Sequence, residues 1–396
     1  MHRGKFSGPH EDKKMQIPPF LLDEWLNHYH FASTPPEFDL ASSTGPISNT
    51  TEILGLMTPD ERKRFDETQL IYSAVTGRRP LRQAIGDLHG VGIDEVQIVT
   101  GASEALLSLF FLAAEAGANV LLPFPGYPPT AVEARLLGLE TRFYHLRREN
   151  DFAIDLDEIK KLTDAKTKLL LINSPHNPTG ATVSNAQMRE LHDFAVERGI
   201  PFVSDEVYHP IYHHEETSSA AVLPNAIVVG SFSKALPLSG LRVGWIIDRD
   251  PARQQQYMDA RGYFTISNSP FAEELALVAL RHRDKILART RSSAATNLSL
   301  LDEFFAEWDG ELGWVRPRGG MVCFPWLKRG GNAREFCRAV AERGTLLAPG
   351  DCFGMPEHFR VGFGVTEKGF ADGLQRIADH LTTLADKAVS TTTVSV

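Results

Sequence analysis

Three features are scarce in this chain of 396 residues: cysteine, long apolar runs and excess positive charge. The three cysteines, Cys323, Cys337 and Cys352, are scattered without metal-site spacing, which indicates packing residues in a reducing compartment and no metal. No apolar run approaches the ~18 residues that cross a membrane, so we expect no membrane partner. The net charge of −9 argues against a nucleic-acid surface, which needs a basic face.

The two ends of the chain carry few structural signals. Residues 1–14 are polar and charged without apolar periodicity, which predicts that they are disordered and that they are not a signal peptide. Residues 390–396 are predicted to be a loose tail. These observations, with the scarce cysteines, predict a cytoplasmic protein.

Short apolar runs alternate with helical patterns through the first two thirds of the chain. The predicted strands lie at 96–99, 119–122, 168–172, 201–203 and 226–229, and the predicted helices at 104–116, 130–137 and 185–197. Such alternation is typical of an α/β fold whose mostly parallel sheet is covered by helices on both faces. Ligands bind such sheets beyond the carboxyl ends of the strands.

The pattern changes near residue 285, where the chain predicts a smaller α+β C-terminal domain. Helices are predicted at 286–308, 333–343 and 367–384, with short strands around 314–315, 321–324 and 359–363.

These patterns predict a division of the chain into domains. We expect a large domain over 47–284 and a small domain over 285–389. Residues 15–46 would form an N-terminal segment that packs on the small domain. Four aromatic residues of that segment either pack there or line a pocket: Phe20, Trp25, Tyr29 and Phe31.

The clearest chemical signal is Lys234, which follows the predicted strand 226–229 in the run Ser231-Phe232-Ser233-Lys234. A lysine can form an imine with an aldehyde, and two hydroxyls with the guanidinium of Arg242 can hold a phosphate. Pyridoxal phosphate (PLP) carries both groups. A plain surface lysine is the alternative, but it leaves Ser231, Ser233 and Arg242 unexplained.

Two further strand ends carry polar residues. Asn177, in Asn177-Pro178-Thr179-Gly180, could donate to a phenolate-type oxygen or simply form a turn. Asp205 could lie under a pyridine nitrogen, with Tyr208 reaching the same oxygen as Asn177. Glu206 is the other acidic candidate, but strand alternation predicts that it points the opposite way.

A glycine turn also opens the helix that follows the first predicted strand. In Thr100-Gly101-Ala102-Ser103-Glu104, the unpaired N–H groups of a helix start could bind an anion. An ordinary turn and cap is the alternative reading.

Taken together, the runs at 177–180, 205–208 and 231–234 with Arg242 resemble fold-type I PLP enzymes, and more narrowly the class I and II aminotransferases. The resemblance runs from about residue 40 to residue 385. It implies that Lys234 holds PLP as an imine and then moves the proton between Cα and C4′. Asp205 would bind the pyridine nitrogen, and Asn177 and Tyr208 the phenolic oxygen. The phosphate would be bound by Ala102, Ser103, Ser231, Ser233 and Arg242.

The same resemblance assigns four residues outside these motifs. Tyr127 would stack on the cofactor ring, although a core tyrosine is the alternative. Arg360 would bind the α-carboxylate of the substrate through a bidentate ion pair. Gly45, in the loop 42–46, would lie over the substrate. Tyr72 would reach the phosphate of a neighbouring subunit, which implies a homodimer.

These residues explain how a substrate loses its Cα proton, but they do not determine which reaction follows that step. The resemblance predicts transfer of the amino group of an L-amino acid to a 2-oxo acid. Three stretches, 18–29, 146–152 and 263–270, also resemble capreomycidine synthases, PLP enzymes that cyclise a β-hydroxylated arginine by elimination and internal addition. C–S lyase chemistry and a PLP-sensing regulator are further alternatives, although the sequence carries no helix-turn-helix pattern for the latter.

Overall fold

The computed structural model describes residues 17–393, with side chains through residue 386. The predictions for residues 1–14 and 394–396 lie outside these described residues. Its helices are α1 (Leu21–His30), α2 (Thr50–Leu54), α3 (Pro59–Asp66), α4 (Arg79–His89), α5 (Gly101–Ala113), α6 (Pro128–Leu136), α7 (Leu156–Leu162), α8 (Asn185–Glu197), α9 (Pro251–Phe264), α10 (Pro270–Arg281), α11 (Arg283–Glu307), α12 (Ala333–Ala341) and α13 (Phe370–Thr393).

Within residues 17–393 the strands are of two kinds, seven that build one large sheet and seven short ones. Those of the large sheet are β2 (Val96–Val99), β3 (Asn119–Phe124), β4 (Glu140–His145), β5 (Thr167–Asn173), β6 (Phe202–Asp205), β7 (Ala226–Ser231) and β8 (Gly244–Ile247). The short ones are β1 (Phe38–Asp39), β9 (Leu312–Gly313), β10 (Val322–Cys323), β11 (Trp326–Leu327), β12 (Thr345–Leu346), β13 (Ala348–Pro349) and β14 (Phe359–Gly362).

The large sheet has the strand order β2-β8-β7-β6-β5-β3-β4, and in it only β8 runs against its neighbours. Alternate residues face opposite cores: Leu169 and Leu171 of β5 pack in the core that includes α5, while Leu170 and Ile172 pack in the core that includes α8. A strand covered on both faces is apolar throughout, which is why these runs read as continuous in the sequence. The predicted α/β fold with a mostly parallel sheet is confirmed.

The C-terminal part combines the long helix α11 with α12, α13 and short strands. β14 pairs antiparallel with β10 and β13, and β9 pairs with β11. The N-terminal segment joins this part, because β1 pairs with β12 and the Trp25 indole Nε1 donates to the Leu347 carbonyl at 2.8 Å. The domain boundaries at 46 and 284 stay predictions.

Several elements are longer than their sequence patterns suggest. β5 and β6 reach Asn173 and Asp205, because these two polar residues continue the ladder in register with each other. α5 is shifted and not longer, since it spans Gly101–Ala113, three residues earlier at each end than the predicted 104–116. α13 runs to Thr393 and so enters the segment predicted to be a loose tail; extending a formed helix avoids the cost of nucleation.

One predicted strand lies elsewhere. The pair Trp314 and Val315 follows β9 rather than forming a strand itself. At Gly313 an added Cβ would lie 2.2 Å from the Trp326 ring, so glycine lets this indole cross the strand pair.

Within residues 17–393, no helix has the length and hydropathy to span a membrane. Within the same range, no group of acidic, histidine and cysteine side chains could hold a metal.

Candidate active site

A cavity of about 220 Å³ opens at the carboxyl ends of β5, β6 and β7. It is lined by ten of the residues singled out from the sequence: Ala102, Ser103, Tyr127, Asn177, Asp205, Tyr208, Ser231, Ser233, Lys234 and Arg242. Three more lining residues escaped the sequence analysis: Asn173, Val207 and Ser239. Because the parallel strands end at one edge, residues far apart in sequence meet there.

Lys234 reaches into this cavity from the turn after β7. Its Nζ donates to the Ser43 hydroxyl at 2.8 Å. Burial, and then the charge of Arg360, lowers the pKa of Lys234 to about 8, against an opposing effect of Asp205. An amine with this pKa is partly neutral near physiological pH, and the neutral form is the nucleophile and base.

Asp205 and Glu206 occupy opposite faces of the chain at the end of β6. Asp205 lies in the cavity, where its Oδ1 accepts from the Val207 N–H at 3.1 Å and burial raises its pKa to about 6. Glu206 lines a separate cavity, and its Oε1 accepts from the Ala220 N–H at 2.7 Å. Glu206 therefore cannot face the same ligand as Lys234, as strand alternation predicts.

Arg360, on β14, is fully buried and lies behind the cavity rather than on its lining. Nη1 donates to the Asn177 side-chain oxygen at 3.1 Å, and Nη2 donates to the Ala41 carbonyl at 2.7 Å. Among the residues that the structure describes, Nε has no hydrogen-bond partner, and the guanidinium lies 5.1 Å from the Phe353 ring centroid. In the part of the chain with described side chains, no carboxylate lies within ion-pair distance of it.

Asn173 couples the strands that carry Asn177 and Asp205. Its side-chain oxygen accepts from the Asn177 N–H at 2.8 Å, and its amide donates to the Asp205 carbonyl at 3.0 Å. The signal for this role was present in the sequence, since Asn173 is the polar residue that ends an apolar strand. Its partners could not be read there, because they depend on the pairing of β5 with β6.

The turn that opens α5 faces the guanidinium of Arg242. Gly101 has a φ of +79°, which favours glycine, and a Cβ there would lie 2.8 Å from Arg242 Nη2, so the turn passes close to this guanidinium. On the other side, the Ser231 hydroxyl accepts from the Ser233 N–H at 3.1 Å. A helix N-terminus, two serines and a guanidinium thus surround one end of the cavity, as an anion requires.

A buried network around Arg261 fixes this turn from behind. Arg261 donates to Glu104, to Asn268 and to the carbonyls of Val75 and Ile98. Glu104 in turn accepts from the Thr100 N–H. The Asn268 amide donates to the Arg242 carbonyl at 3.0 Å and to the Val99 carbonyl at 3.2 Å.

Tyr127, which caps α6, lies half-buried at the cavity. Ser103 lines the same cavity, and the Phe20 ring meets the Tyr127 ring edge-on with centroids 6.3 Å apart. The four N-terminal aromatics therefore divide. Trp25 packs on the C-terminal part of the chain with Tyr29 beside it, the Phe20 ring contacts the Tyr127 ring at the cavity, and Phe31 is exposed.

Gly45 and Tyr72 do not line the cavity. Gly45 lies against α11, where a Cβ would meet Thr290 Cγ2 at 2.9 Å, so its loop passes close to that helix. Tyr72 is 79% exposed and stands beside Leu70 and Ile71, which are exposed as well. The role of Tyr72 depends on a neighbouring subunit and stays a prediction.

Comparison with known proteins agrees with this geometry. A profile of the class I and II aminotransferases matches residues 58–377, and the chain belongs to this family. It is 30% identical over 386 residues to a capreomycidine synthase of Streptomyces vinaceus, with 96% of this chain and 98% of the relative covered.

Two solved structures extend the comparison. A PLP-dependent aminotransferase from Streptococcus suis superposes with a TM-score of 0.86 at 28% identity, covering 93% of this chain and 99% of its own. The PLP-dependent cyclase OrfR gives a TM-score of 0.85 at 27% identity, covering 94% of this chain and 100% of its own.

The protein is accordingly a PLP-dependent enzyme. The donor set of the cavity fits this cofactor. It offers an amine of lowered pKa for an aldehyde, a buried carboxyl for a pyridine nitrogen, and a helix start with a guanidinium for a phosphate.

Proposed function

We propose that this enzyme is an aminotransferase that moves the amino group of an L-amino acid to a 2-oxo acid, with PLP held at Lys234. The buried guanidinium of Arg360 carries the proposal. A fully buried cation without a carboxylate partner among the described side chains is costly, and its Nε is unpartnered. An α-carboxylate would supply the missing charge, and amino acids and 2-oxo acids share that group.

Lys234 is the group that moves the proton. Bound PLP supplies an electron sink that makes the Cα–H bond of an amino acid acidic. With a pKa of about 8, the Lys234 amine can both accept the Cα proton and return it near neutral pH.

Asp205 and the phosphate-binding groups hold the cofactor for this transfer. Above a pH of about 6 Asp205 is ionised, and it can then keep a proton on the pyridine nitrogen. Ser103, Ser231 and Arg242 would hold the phosphate at the other end. Two fixed ends orient the ring, and Arg360 orients the substrate against it.

Elimination and cyclisation of a hydroxylated arginine is a second candidate. This candidate is favoured because the alignment with the capreomycidine synthase covers 96% of this chain. It includes the N-terminal segment, which lies outside the family profile. That segment brings Phe20 to the cavity through Tyr127. The two reactions share Lys234, Asp205 and Arg360 and differ only after the Cα proton is lost.

Adding single L-amino acids to the holoenzyme, with 3-hydroxyarginine in the panel, separates the candidates. Amino transfer converts the yellow Lys234-bound cofactor to its aminated form and releases a 2-oxo acid, followed by absorbance and mass spectrometry. Retention of the yellow form with a dehydrated or cyclised product identifies the second reaction. Lys234→Ala is the control and should lose all turnover; multiple turnovers by that variant would sink both candidates.

A further inference from the structure

We propose that Ser43 is a catalytic residue, whose hydroxyl accepts a hydrogen bond from the Lys234 amine and stabilises its ammonium form during proton transfer. The inference rests on the proposed function, because it assigns Lys234 the Cα proton. It is common to both candidate reactions, since each begins with that step.

The contact between the two residues is direct. Lys234 Nζ lies 2.8 Å from Ser43 Oγ, although the residues are 191 positions apart. Among the described side chains this hydroxyl is the one hydrogen-bond acceptor of Nζ, and no carboxylate lies within ion-pair distance of it. Three charged groups face the amine from other elements: Arg360 and Arg242 lower its pKa, and Asp205 raises it.

The hydroxyl is held in place by the backbone around it. The Ser43 carbonyl accepts from the Tyr208 hydroxyl at 3.1 Å, and the Ala41 carbonyl accepts from Arg360 at 2.7 Å. The Leu40 carbonyl accepts from the Gly362 N–H at 2.7 Å. Ser43 is 8% exposed. These three bonds fix the backbone that carries Ser43, so its hydroxyl stays within reach of the amine when Lys234 is released.

The proton balance is simple. When the Cα–H bond breaks, the neutral Lys234 amine gains the proton and becomes an ammonium. Ser43 Oγ accepts a hydrogen bond from this ammonium and receives no proton itself. Hydrogen bonds to charged groups are the stronger kind, so the ammonium gains more from Ser43 than the neutral amine does.

The first test uses the protein without cofactor, where Lys234 is a free amine. Pyridoxal and cyanoborohydride trap the neutral amine, and peptide mass spectrometry counts modified Lys234 from pH 6 to 10. Ser43→Ala removes the acceptor and disfavours the ammonium, so the midpoint of the trapping profile should fall by about one pH unit. With the holoenzyme, kcat should fall about tenfold, while KM stays within about twofold.

Ser42→Ala is the matched control, since the Ser42 hydroxyl bonds Asp39 Oδ2 at 2.5 Å and not Lys234. Its trapping midpoint should equal that of the wild type, and Ser43→Thr, which keeps a hydroxyl, should restore the midpoint. An unshifted midpoint in folded Ser43→Ala, or equal shifts in both alanine variants, overturns the proposal. If the wild type turns over no amino acid while the Ser43→Ala midpoint falls, the proposed function fails and the Ser43 contact stands.

Discussion

At the residue scale, the site is a set of buried ionisable groups that differ in whether they can lose their charge. Lys234 and Asp205 can, and burial moves the pKa of each toward neutrality, to about 8 and about 6. Arg360 cannot in practice, because burial lowers its pKa from too high a value. The titrating pair suits proton transfer, and the permanent cation suits anion binding.

Arg360→Met should separate binding from stability. The variant removes a buried cation that lacks a carboxylate partner, so the free energy of unfolding should stay within about 1 kcal/mol or rise. Loss of the carboxylate contact should lower kcat/KM for the preferred amino acid about 10²- to 10³-fold, or about 3–4 kcal/mol. Denaturant melts and steady-state kinetics measure the two effects. A large loss of stability with unchanged kcat/KM would make Arg360 a structural residue.

Asp205→Asn should raise the stability of the cofactor-free protein in a pH-dependent way. The pKa of Asp205 is raised from 3.8 unfolded to about 6 folded. The folded protein therefore binds the extra proton between these values, and its stability falls as pH rises through that window. Asparagine does not titrate, so the variant does not lose stability in this window. Above pH 6 its free energy of unfolding should exceed that of the wild type by up to about 3 kcal/mol. Below pH 4 the difference should disappear. Thermal melts from pH 4 to 8 provide the test, and a pH-independent difference would contradict it.

At the element scale, the stretch 263–270 forms the junction between helices α9 and α10. Thr265 and Asn268 lie between α9 and α10 and bond Arg261 or its partners. Through Glu104 and Asn268 this junction holds the start of α5 and the backbone of Arg242, which lie on either side of the proposed phosphate site. The junction therefore sets the spacing of two groups that must grip one anion.

Arg261→Met combined with Glu104→Gln should weaken PLP binding more than pyridoxal binding. The pair is changed together because removing Arg261 alone leaves Glu104 buried and uncompensated. Without the junction, the start of α5 and Arg242, which bind the phosphate, can move apart. The Kd for PLP should therefore rise about tenfold or more, which is a loss of at least about 1.4 kcal/mol of binding free energy. Pyridoxal lacks the phosphate and should lose little. Absorbance titration of both compounds is the measurement; equal losses would indicate general disruption.

At the scale of the whole molecule, one surface has no partner within the described chain. Leu70, Ile71 and Tyr72 are 83%, 65% and 79% exposed, which is unusual for three consecutive large apolar side chains. The family resemblance has Tyr72 reach the phosphate of a neighbouring subunit. A homodimer would cover this surface and complete two sites at once.

Leu70→Glu with Ile71→Glu should dissociate such a dimer, because two carboxylates would be buried in the interface. Sedimentation velocity should show a dimer for the wild type and a monomer for the double variant. Tyr72→Phe is the companion change: it should keep the dimer and weaken PLP binding severalfold through loss of one hydroxyl contact. A monomeric wild type, or a Tyr72→Phe protein with unchanged PLP affinity, would contradict the prediction.

The sequence by itself determined the parts of this protein that depend on local order. Apolar runs predict β2, β3, β5, β6 and β7, because steric and burial preferences act over a few residues, but they do not predict β4 or β8. Once parallel strands are expected, their carboxyl ends must share an edge, which brings Lys234, Asp205 and Asn177 together without further information. Ten cavity residues were predicted in all, although Tyr127 was assigned by the family resemblance and not by this argument.

Only the tertiary structure decided which distant groups complete the site. Ser43 meets Lys234 across 191 residues, and Arg360 meets Asn177 across 183. Arg261 donates to the carbonyl of Ile98 on β2 and to that of Val75 in the segment before α4. These contacts arise where the N-terminal segment and β14 pack beside the loops that follow β7 and β5, and where α9 packs beside β2. That packing follows from the summed burial of many apolar side chains, which no short pattern in the sequence records.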